Sequence, residues 1–524
     1  MKKIELNRKK VIIALILIIL IQSVVYFFVA CNKNYIHIDE GYSYGLINYD
    51  KIEITDNKDF YNTWHSKDYY NDYLTISSNE AADWSPVYEQ QKNDVHPPFY
   101  YFMLRIFDSF NTDNFSKWPG IVLNMFIHIG ITVFTYLVAD RLFKNKWYAL
   151  GIALIGGLTT ATLETIMLTR MYALTALNIL IILYLHLINY EKEEIDIKSL
   201  SIMVPFIVLG SLTHYYYLVF LFVLYVMFMI KYLRKKQVKN AIKYTGCMAV
   251  SGIISLLIFP YSFAHMFMGY RGQGLLSNLT DIDNAWNGIH KFLKLTFINV
   301  SNGMFMVAII VILGIFIYEY VKNKQITLKF ENKETLFILI PTLVYFIIVA
   351  VGSPYTEIRY IMPIAPLLFM LGIYAFKNVL KRELKEDLIN KILIIGAVIL
   401  LLVPIVFKWN ITYQYPEMKE FVDRIEEDHA KTTLFVFNKN ANRFMDDIYL
   451  FTKIDESYII DSNLVTEQEI RKVLINKNIN DGMYLYINED LENDDFINIV
   501  LKATGLTNCN YIKRLNACDV YYLF

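Results

Sequence analysis

The chain has 524 residues, of which 55% are hydrophobic and 19% are charged, whereas an average soluble domain is about 45–50% apolar and about 25% charged. This balance excludes a soluble multidomain enzyme and a disordered chain, and it indicates a protein whose solvent is mostly lipid. The 50 basic and 50 acidic residues give no net charge, which disfavours a nucleic-acid partner, and four cysteines are too few for a disulfide scaffold.

Apolar runs recur along most of the chain. A bilayer core needs about 20 mostly apolar residues per helix, and helices are the expected form because lipid offers the backbone no hydrogen-bond partners. We count about eleven runs, of which 200–213 is short enough to merge with the run that follows it. They cover 11–30, 119–140, 147–166, 171–189, 200–213, 215–230, 244–262, 296–320, 335–352, 359–376 and 392–407.

The first apolar run also has features of a secretory signal, because a charged start precedes it and Ala30-Cys31 follows it. The stretch Val11–Val29 is longer than the 7–15 residues, roughly, that are typical of the apolar part of a signal peptide. We therefore expect it to remain as the first membrane helix.

Basic residues predict the orientation of these helices, because cytoplasmic loops are enriched in Lys and Arg. With the N-terminus in the cytoplasm, the outer turns hold few basic residues, namely Arg170, Arg271, Lys291, Lys294 and Arg359. The segments on the other side hold many more, including Lys2, Lys3, Arg141, Lys231, Arg234, Lys235, Lys236, Lys324, Lys329, Lys333, Lys377 and Arg382. The sequence thus predicts a multi-pass plasma-membrane protein with a cytoplasmic N-terminus and an extracytoplasmic C-terminus.

Two long polar segments fall on the outer side. Residues 1–408 form the predicted membrane domain, whose loop 31–118 is large, and residues 409–524 form a small extracytoplasmic α/β domain. Cys509 and Cys518 lie in the closing hairpin of that domain, and the sequence leaves open whether they are bridged or free. The predicted elements are helices over Glu417–Asp428, Ala441–Thr452, Thr466–Asn476 and Asp494–Ala503, strands over Thr432–Phe437, Tyr458–Asp461 and Met483–Ile487, and a hairpin of 509–515 with 518–524.

Polar side chains that suit catalysis all fall at this outer face. Any one of them has an ordinary explanation, because acids at the interface cost little and Tyr, Arg and His are common in the aromatic belts of membrane proteins. Their coincidence on one face is what indicates a site. They are Asp39 and Glu40, His96 before Pro97-Pro98, Arg170 and Tyr172, His214 and Tyr215, and Arg359 and Tyr360.

These residue types suit one kind of chemistry. A carboxylate can remove a proton from an attacking hydroxyl, and arginine can hold a phosphate and stabilise the charge that it gains on leaving. Because no nucleotide donor is expected outside the cytoplasm, an activated group must reach this face on a lipid. One base and one displacement predict inversion of configuration at the reacting carbon. Glycoside hydrolases, in contrast, use two carboxylates.

The ordered set of motifs resembles the polytopic lipid-dependent glycosyltransferases of the C superfamily, in particular bacterial relatives of the protein mannosyltransferases and of the lipid A aminoarabinose transferase. The matching pieces are Asp39-Glu40, His96-Pro97-Pro98-Phe99-Tyr100-Tyr101, Arg170-Met171-Tyr172, Thr213-His214-Tyr215 and Arg359-Tyr360 with Pro363 and Pro366. The resemblance implies a GT-C-like helical fold and a polyprenyl-phosphate-linked sugar as donor. It also implies Asp39 as catalytic base and Glu40 as second carboxylate. His96, Arg170 and Arg359 are then expected near the donor or its phosphate, with Tyr172, His214, Tyr215 and Tyr360 as further substrate-binding residues.

The predicted function is thus an inverting hexosyl- or pentosyltransferase that acts on a cell-envelope acceptor, either a glycan, a lipid or a protein. Metal dependence stays open, since some members of the superfamily place a divalent metal near the site and others need none. Two other classes are weighed against this one. A transporter or lipid flippase would place ionisable groups near the bilayer midplane, and an assembly protein would carry its function in the C-terminal domain alone.

Overall fold

The computed structural model describes residues 7–323, 334–407, 411–439 and 443–524. Lys2, Lys3, Lys324, Lys329, Lys333 and the start of the predicted helix Ala441–Thr452 lie outside these ranges. The described chain is a helical multi-pass membrane protein with a small C-terminal α/β domain, as the sequence predicts. Its membrane helices are α1 (Arg8–Cys31), α6 (Trp118–Phe143), α7 (Lys146–Gly156), α8 (Thr160–Met167), α9 (Tyr172–Tyr190), α10 (Ile197–Ser211), α11 (Tyr216–Arg234), α12 (Val238–Ile258), α16 (Met304–Asn323), α17 (Glu334–Gly352), α18 (Ala365–Leu380) and α19 (Glu386–Val406).

Nine helices in the described ranges are long and apolar enough to cross a membrane, or ten if the bent pair α7 and α8 forms one span. The fifth predicted run, 200–213, corresponds to α10, which is apolar but has only 15 residues. His214 separates α10 from α11, so these two runs do not merge. Helices α16 and α19 leave almost all of their apolar surface uncovered by protein, which fits helices that face lipid.

The predicted span 147–166 is broken, because α7 and α8 meet at an angle of 53° around Gly156-Gly157. Two side chains of α1 bind carbonyl groups at this break: Gln22 Nε2 donates to Ala153 O at 2.8 Å, and Tyr26 OH donates to Gly157 O at 2.7 Å. A side chain at residue 157 would collide with Gln22, so glycine permits this close approach.

Three helices that the apolar runs did not indicate lie between α12 and α16. They are α13 (Ser262–Phe267), α14 (Tyr270–Thr280) and α15 (Ile282–Asn299), and the last two pack against α17. The predicted start of the run at 296 is therefore wrong, since α16 begins at Met304. The run predicted from 359 likewise begins with two short 3-10 turns, Ile358–Tyr360 and Met362–Ile364, before α18.

The loop 31–118 is folded and contains four helices and one strand. Its elements are α2 (Ile38–Asn48), β1 (Thr63–Ser66), α3 (Lys67–Leu74), α4 (Ser85–Asn93) and α5 (Phe99–Asp108). The C-terminal domain contains α20 (Lys419–Glu427), β2 (Thr433–Phe437), α21 (Ile448–Phe451), β3 (Glu456–Asp461), α22 (Glu467–Leu474), β4 (Met483–Asn488), α23 (Asn493–Thr504), β5 (Cys509–Arg514) and β6 (Cys518–Leu523).

The loop and the C-terminal domain share one six-stranded sheet of order β1-β3-β2-β4-β6-β5. Strands β3, β2 and β4 are parallel, and β1 pairs antiparallel with β3 through the register Trp64 with Tyr458. Alternation places Leu434 and Val436 of β2 toward α22 and α23, whereas Phe435 and Phe437 join the core that includes the loop. The predicted strands and closing hairpin are confirmed, and the two segments lie on the same side of the helix bundle.

Cys509 and Cys518 are both free thiols. Cys509 is opposite Leu523 at one end of the hairpin, whereas Cys518 is opposite Asn488 at the other end. The antiparallel register therefore keeps the two sulfur atoms apart.

Candidate active site

The segment 33–41 connects α1 to α2 and carries the two acids found in the sequence. His37 caps α2, because its Nδ1 atom accepts the N–H of Asp39 at 3.1 Å. Burial, followed by the charge of Arg359, lowers the pKa of His37 to about 3, so the ring stays neutral and can serve as this acceptor. The cap fixes Asp39 in the first turn of α2, with 23% of its side chain exposed.

Asp39 is in direct contact with an arginine that lies 320 residues later in the chain. Arg359 Nη1 donates to Asp39 Oδ2, and Arg359 Nε lies 3.0 Å from Glu357 Oε2. Arg359 is buried in its 3-10 turn, whereas Asp39 is partly open to solvent. The fold thus brings together the acid and one of the cations that the sequence singled out.

Glu40 has a different environment from its neighbour, because its side chain is buried and all of its acceptor capacity is used. Lys33 Nζ lies 2.6 Å from Oε2 and 2.8 Å from Oε1, the N–H of Thr169 donates to Oε1 at 2.9 Å, and the N–H of His37 donates to Oε2 at 2.9 Å. Glu40 therefore links the segment 33–41 to the turn before α9.

Arg170 lies on the other side of Asp39. Its Nη1 atom donates to the backbone carbonyl of Asp39 at 3.3 Å and to Ser43 Oγ at 3.2 Å, and its guanidinium lies 5.9 Å from the ring of Tyr101. Its Nε atom is buried and has no hydrogen-bond partner within the described ranges. A buried arginine with an unused donor is suited to binding an anion.

His96 and His214 approach each other with ring centroids 6.1 Å apart. Asp94 Oδ2 lies 2.9 Å from His96 Nδ1, which fixes the proton on that nitrogen and leaves Nε2 as an acceptor. The N–H of Tyr216 donates to His214 Nδ1 at 3.1 Å, so His214 carries its proton on Nε2. Burial lowers the pKa of both rings, and Arg170 lowers it further. The neutral pair presents one acceptor and one donor, which is the pattern that binds a hydroxyl group.

The predicted tyrosines fall into two groups. The ring of Tyr172 lies 5.6 Å from His214 and 6.2 Å from Tyr360, so these two line the same region. Tyr215 instead bonds through its hydroxyl to His265 Nδ1 on α13, at 2.9 Å. Tyr215 thus holds α13 in place and belongs to a different group of contacts from Tyr172 and Tyr360.

Two further residues at this place were not indicated by the motifs. Arg271 of α14 lies beside the rings of Tyr270 and Tyr355, its charge helps to lower the pKa of His96, and no carboxylate in the described ranges pairs with it. Tyr413 lies after the last span, with its ring 5.5 Å from that of His37. The only sequence signal for Arg271 is its place among the few basic residues of the outer turns, and no spacing marks Tyr413.

The linker that carries Tyr413 is held by a buried carboxylate of α8. Glu164 accepts the N–H of Thr412 at 2.6 Å and the N–H of Tyr413 at 3.0 Å. Helix α8 thus positions the linker, and Arg170 follows its last residue, Met167, by three residues.

No group of three or more His, Cys, Asp or Glu in the part of the chain described here is arranged to hold a metal ion.

No family model matches the sequence, and no curated protein matches it. The structure is similar to that of ArnT from Cupriavidus metallidurans bound to undecaprenyl phosphate, with 10% identity, a TM-score of 0.49 and coverage of 97% of each chain. It is also similar to the oligosaccharyltransferase AglB from Archaeoglobus fulgidus, in complex with an inhibitory peptide and a dolichol-phosphate, with 10% identity, a TM-score of 0.42 and coverage of 94% of this chain and 71% of that one. At this identity and these TM-scores they are likenesses of overall architecture only.

Proposed function

We propose that the protein is an inverting glycosyltransferase that moves a sugar from a polyprenyl-phosphate donor to a cell-envelope acceptor at the extracytoplasmic face of the plasma membrane. The observation that carries the proposal is the pairing of the partly exposed acid Asp39 with Arg359, next to Arg170 and its unused donor. The Lys and Arg bias of the loops supports the orientation, since it places the segment 33–41 outside the cell.

In the proposed reaction, the acceptor hydroxyl gives its proton to Asp39 and its oxygen forms a bond to the anomeric carbon. The bond between that carbon and the phosphate oxygen breaks, and polyprenyl phosphate leaves with the electron pair. A phosphate at this place competes with Asp39 for Arg359, because both are anions that bind a guanidinium. Donor binding would then release Asp39 to act as the base, and attack on the face opposite the leaving group inverts the configuration.

His96 and His214 are proposed to hold a hydroxyl of the sugar, since one offers an acceptor and the other a donor. Tyr172 and Tyr360 would then pack on the ring beside them. Glu40, Lys33 and Glu164 are assigned to holding the site together, because their charged groups are already bound by the protein.

The proposal is tested with the full-length protein in liposomes that contain polyprenyl-phosphate-linked hexoses and pentoses, with envelope glycans, lipids and proteins offered as acceptors. We expect mass spectrometry to detect free polyprenyl phosphate and a glycosylated acceptor, and NMR to show the inverted anomeric configuration. Movement of an intact lipid-linked sugar across the bilayer, without cleavage, would instead assign the protein to the flippases.

Replacing Arg271 by glutamine is expected to raise KM for the lipid-linked donor by about tenfold, with a smaller effect on kcat. The reason is that Arg271 has no carboxylate partner, so we assign it to the donor phosphate, and a hydrogen bond to a charged group contributes about 1.5–3 kcal/mol. Lys294→Gln, which removes an exposed charge from the neighbouring helix α15, serves as the control. An equal rise in KM for both variants would remove Arg271 from the phosphate site.

A further inference from the structure

The segment 33–41 is held from two opposite sides. On the membrane side, Lys33 and Glu40 bind each other and the turn before α9, through the carbonyl of Met167 and the N–H of Thr169. On the other side, the same segment is covered by the C-terminal domain and its linker. The residue proposed as the catalytic base therefore lies between two separate supports.

The contacts on the C-terminal side are both polar and apolar. The N–H of Asn34 donates to the carbonyl of Gln414 at 2.8 Å, and the hydroxyl of Tyr35 lies 3.3 Å from two acceptors, Asp447 Oδ1 and the carbonyl of Asp446. The ring of Tyr35 packs edge-on against Tyr449 at 5.3 Å. One turn into α2, a side-chain atom added at Gly41 would lie 3.6 Å from Ile448, so the helix touches the C-terminal domain there as well.

Asp447 is the polar centre of this contact. Its side chain is buried, and no Lys or Arg of the described ranges pairs with it, an arrangement that ordinarily destabilises a protein. Its Oδ1 atom accepts from Tyr35, and its Oδ2 atom accepts the thiol of Cys518 on β6 at 3.3 Å. Burial, together with the charge of the adjacent Asp446, raises the pKa of Asp447 to about 7. One carboxyl group thus joins the segment that carries Asp39 to the sheet of the C-terminal domain.

We propose that the C-terminal domain positions the active site, and that Asp447 is a positioning residue that acts on Asp39 through Tyr35. This rests on the function proposed above. Tyr35 lies four residues before Asp39, in the stretch that leads directly into α2. Loss of the contact would let this stretch shift relative to Arg359 and Arg170, and a misplacement of about 1 Å can lower a rate by about 10²-fold.

The first test compares full-length variants in the liposome assay. We expect Asp447→Ala to lower kcat by about 10- to 100-fold without changing KM for the lipid-linked donor. Asp447→Asn retains an acceptor for Tyr35 and is expected to restore most of the activity. Tyr35→Phe removes only the hydroxyl, and it gives the same test if Asp447→Ala fails to fold. The matched control is Asp519→Ala, since Asp519 is a buried acid of β6 whose side chain binds Asn493, Arg514 and Tyr511, all within the C-terminal domain.

The second test does not depend on activity. Hydrogen exchange measured by mass spectrometry should be faster in the peptide that contains residues 33–41 for Asp447→Ala, and unchanged there for Asp519→Ala. Wild-type kcat and wild-type exchange in Asp447→Ala would overturn the proposal, as would equal effects of Asp447→Ala and Asp519→Ala on both measurements. If the wild-type protein cleaves no lipid-linked sugar, the proposed function fails, and the exchange measurement still decides whether the C-terminal domain holds the segment.

Discussion

Replacing Asp39 by asparagine is expected to lower kcat by about 10²- to 10⁴-fold, which is the usual contribution of a general base. Asparagine has nearly the same shape as aspartate but cannot accept a proton at neutral pH. KM for the lipid-linked donor should not rise and is expected to fall, because the neutral asparagine no longer competes with the donor phosphate for Arg359. The measurement is release of polyprenyl phosphate by the purified full-length protein in liposomes.

Asp50→Asn provides the control for this experiment, since Asp50 is an exposed acid two residues after the end of α2. We expect it to have the activity of the wild type. Transfer at the wild-type rate by Asp39→Asn would exclude Asp39 as the base.

Replacing Glu40 by alanine is expected to lower the free energy of unfolding by about 3–5 kcal/mol. This is the usual cost of removing one partner of a buried ion pair. Lys33 would then keep its charge in a buried position with only the carbonyl of Met167 as a partner. The N–H groups of His37 and Thr169 would also lose their acceptor. Thermal unfolding of the purified protein in detergent gives the measurement.

Glu89→Ala is the matched control, because the pair of Glu89 with Lys92 lies on the surface of α4, and exposed pairs contribute only about 0–1 kcal/mol. The double variant Lys33→Met, Glu40→Gln leaves no charge unpaired and should recover part of the lost stability. Transfer activity of that double variant separates two roles of Glu40. Recovered activity means that Glu40 holds the segment, whereas a stable but inactive double variant means that it acts as a second catalytic carboxylate.

The sequence predicted the membrane helices and the convergence of Asp39, Arg170 and Arg359 because both depend on simple constraints. Apolar runs of the right length form helices in lipid, and turns at one membrane face must share a thin layer. Residues from distant turns are therefore expected to be close neighbours. This expectation does not require knowledge of how the helices pack. The order of the motifs along the chain was sufficient to identify this face.

The burial of Glu40 could not be predicted in the same way, because it depends on Lys33 seven residues earlier and on a backbone N–H at Thr169. Arg271 and Tyr413 were not predicted as site residues for a related reason. Arg271 lies on α14, whose mixed sequence gives no clear apolar run, and Tyr413 lies in a linker that distant residues such as Glu164 and Asn34 hold in place. Local sequence patterns carry no information about such contacts between distant residues.

The strand β1 was missed because it has only four residues and its partner β3 begins at Glu456. This pairing has a consequence for biosynthesis. Trp64 leaves the ribosome almost four hundred residues before Tyr458, so β1 of the loop 31–118 has no strand to pair with until β3 has been synthesised. A nascent chain that lacks its last hundred residues would contain the described membrane helices but none of the strands β2 to β6, so the segment 33–41 would lack the support that the C-terminal domain gives it.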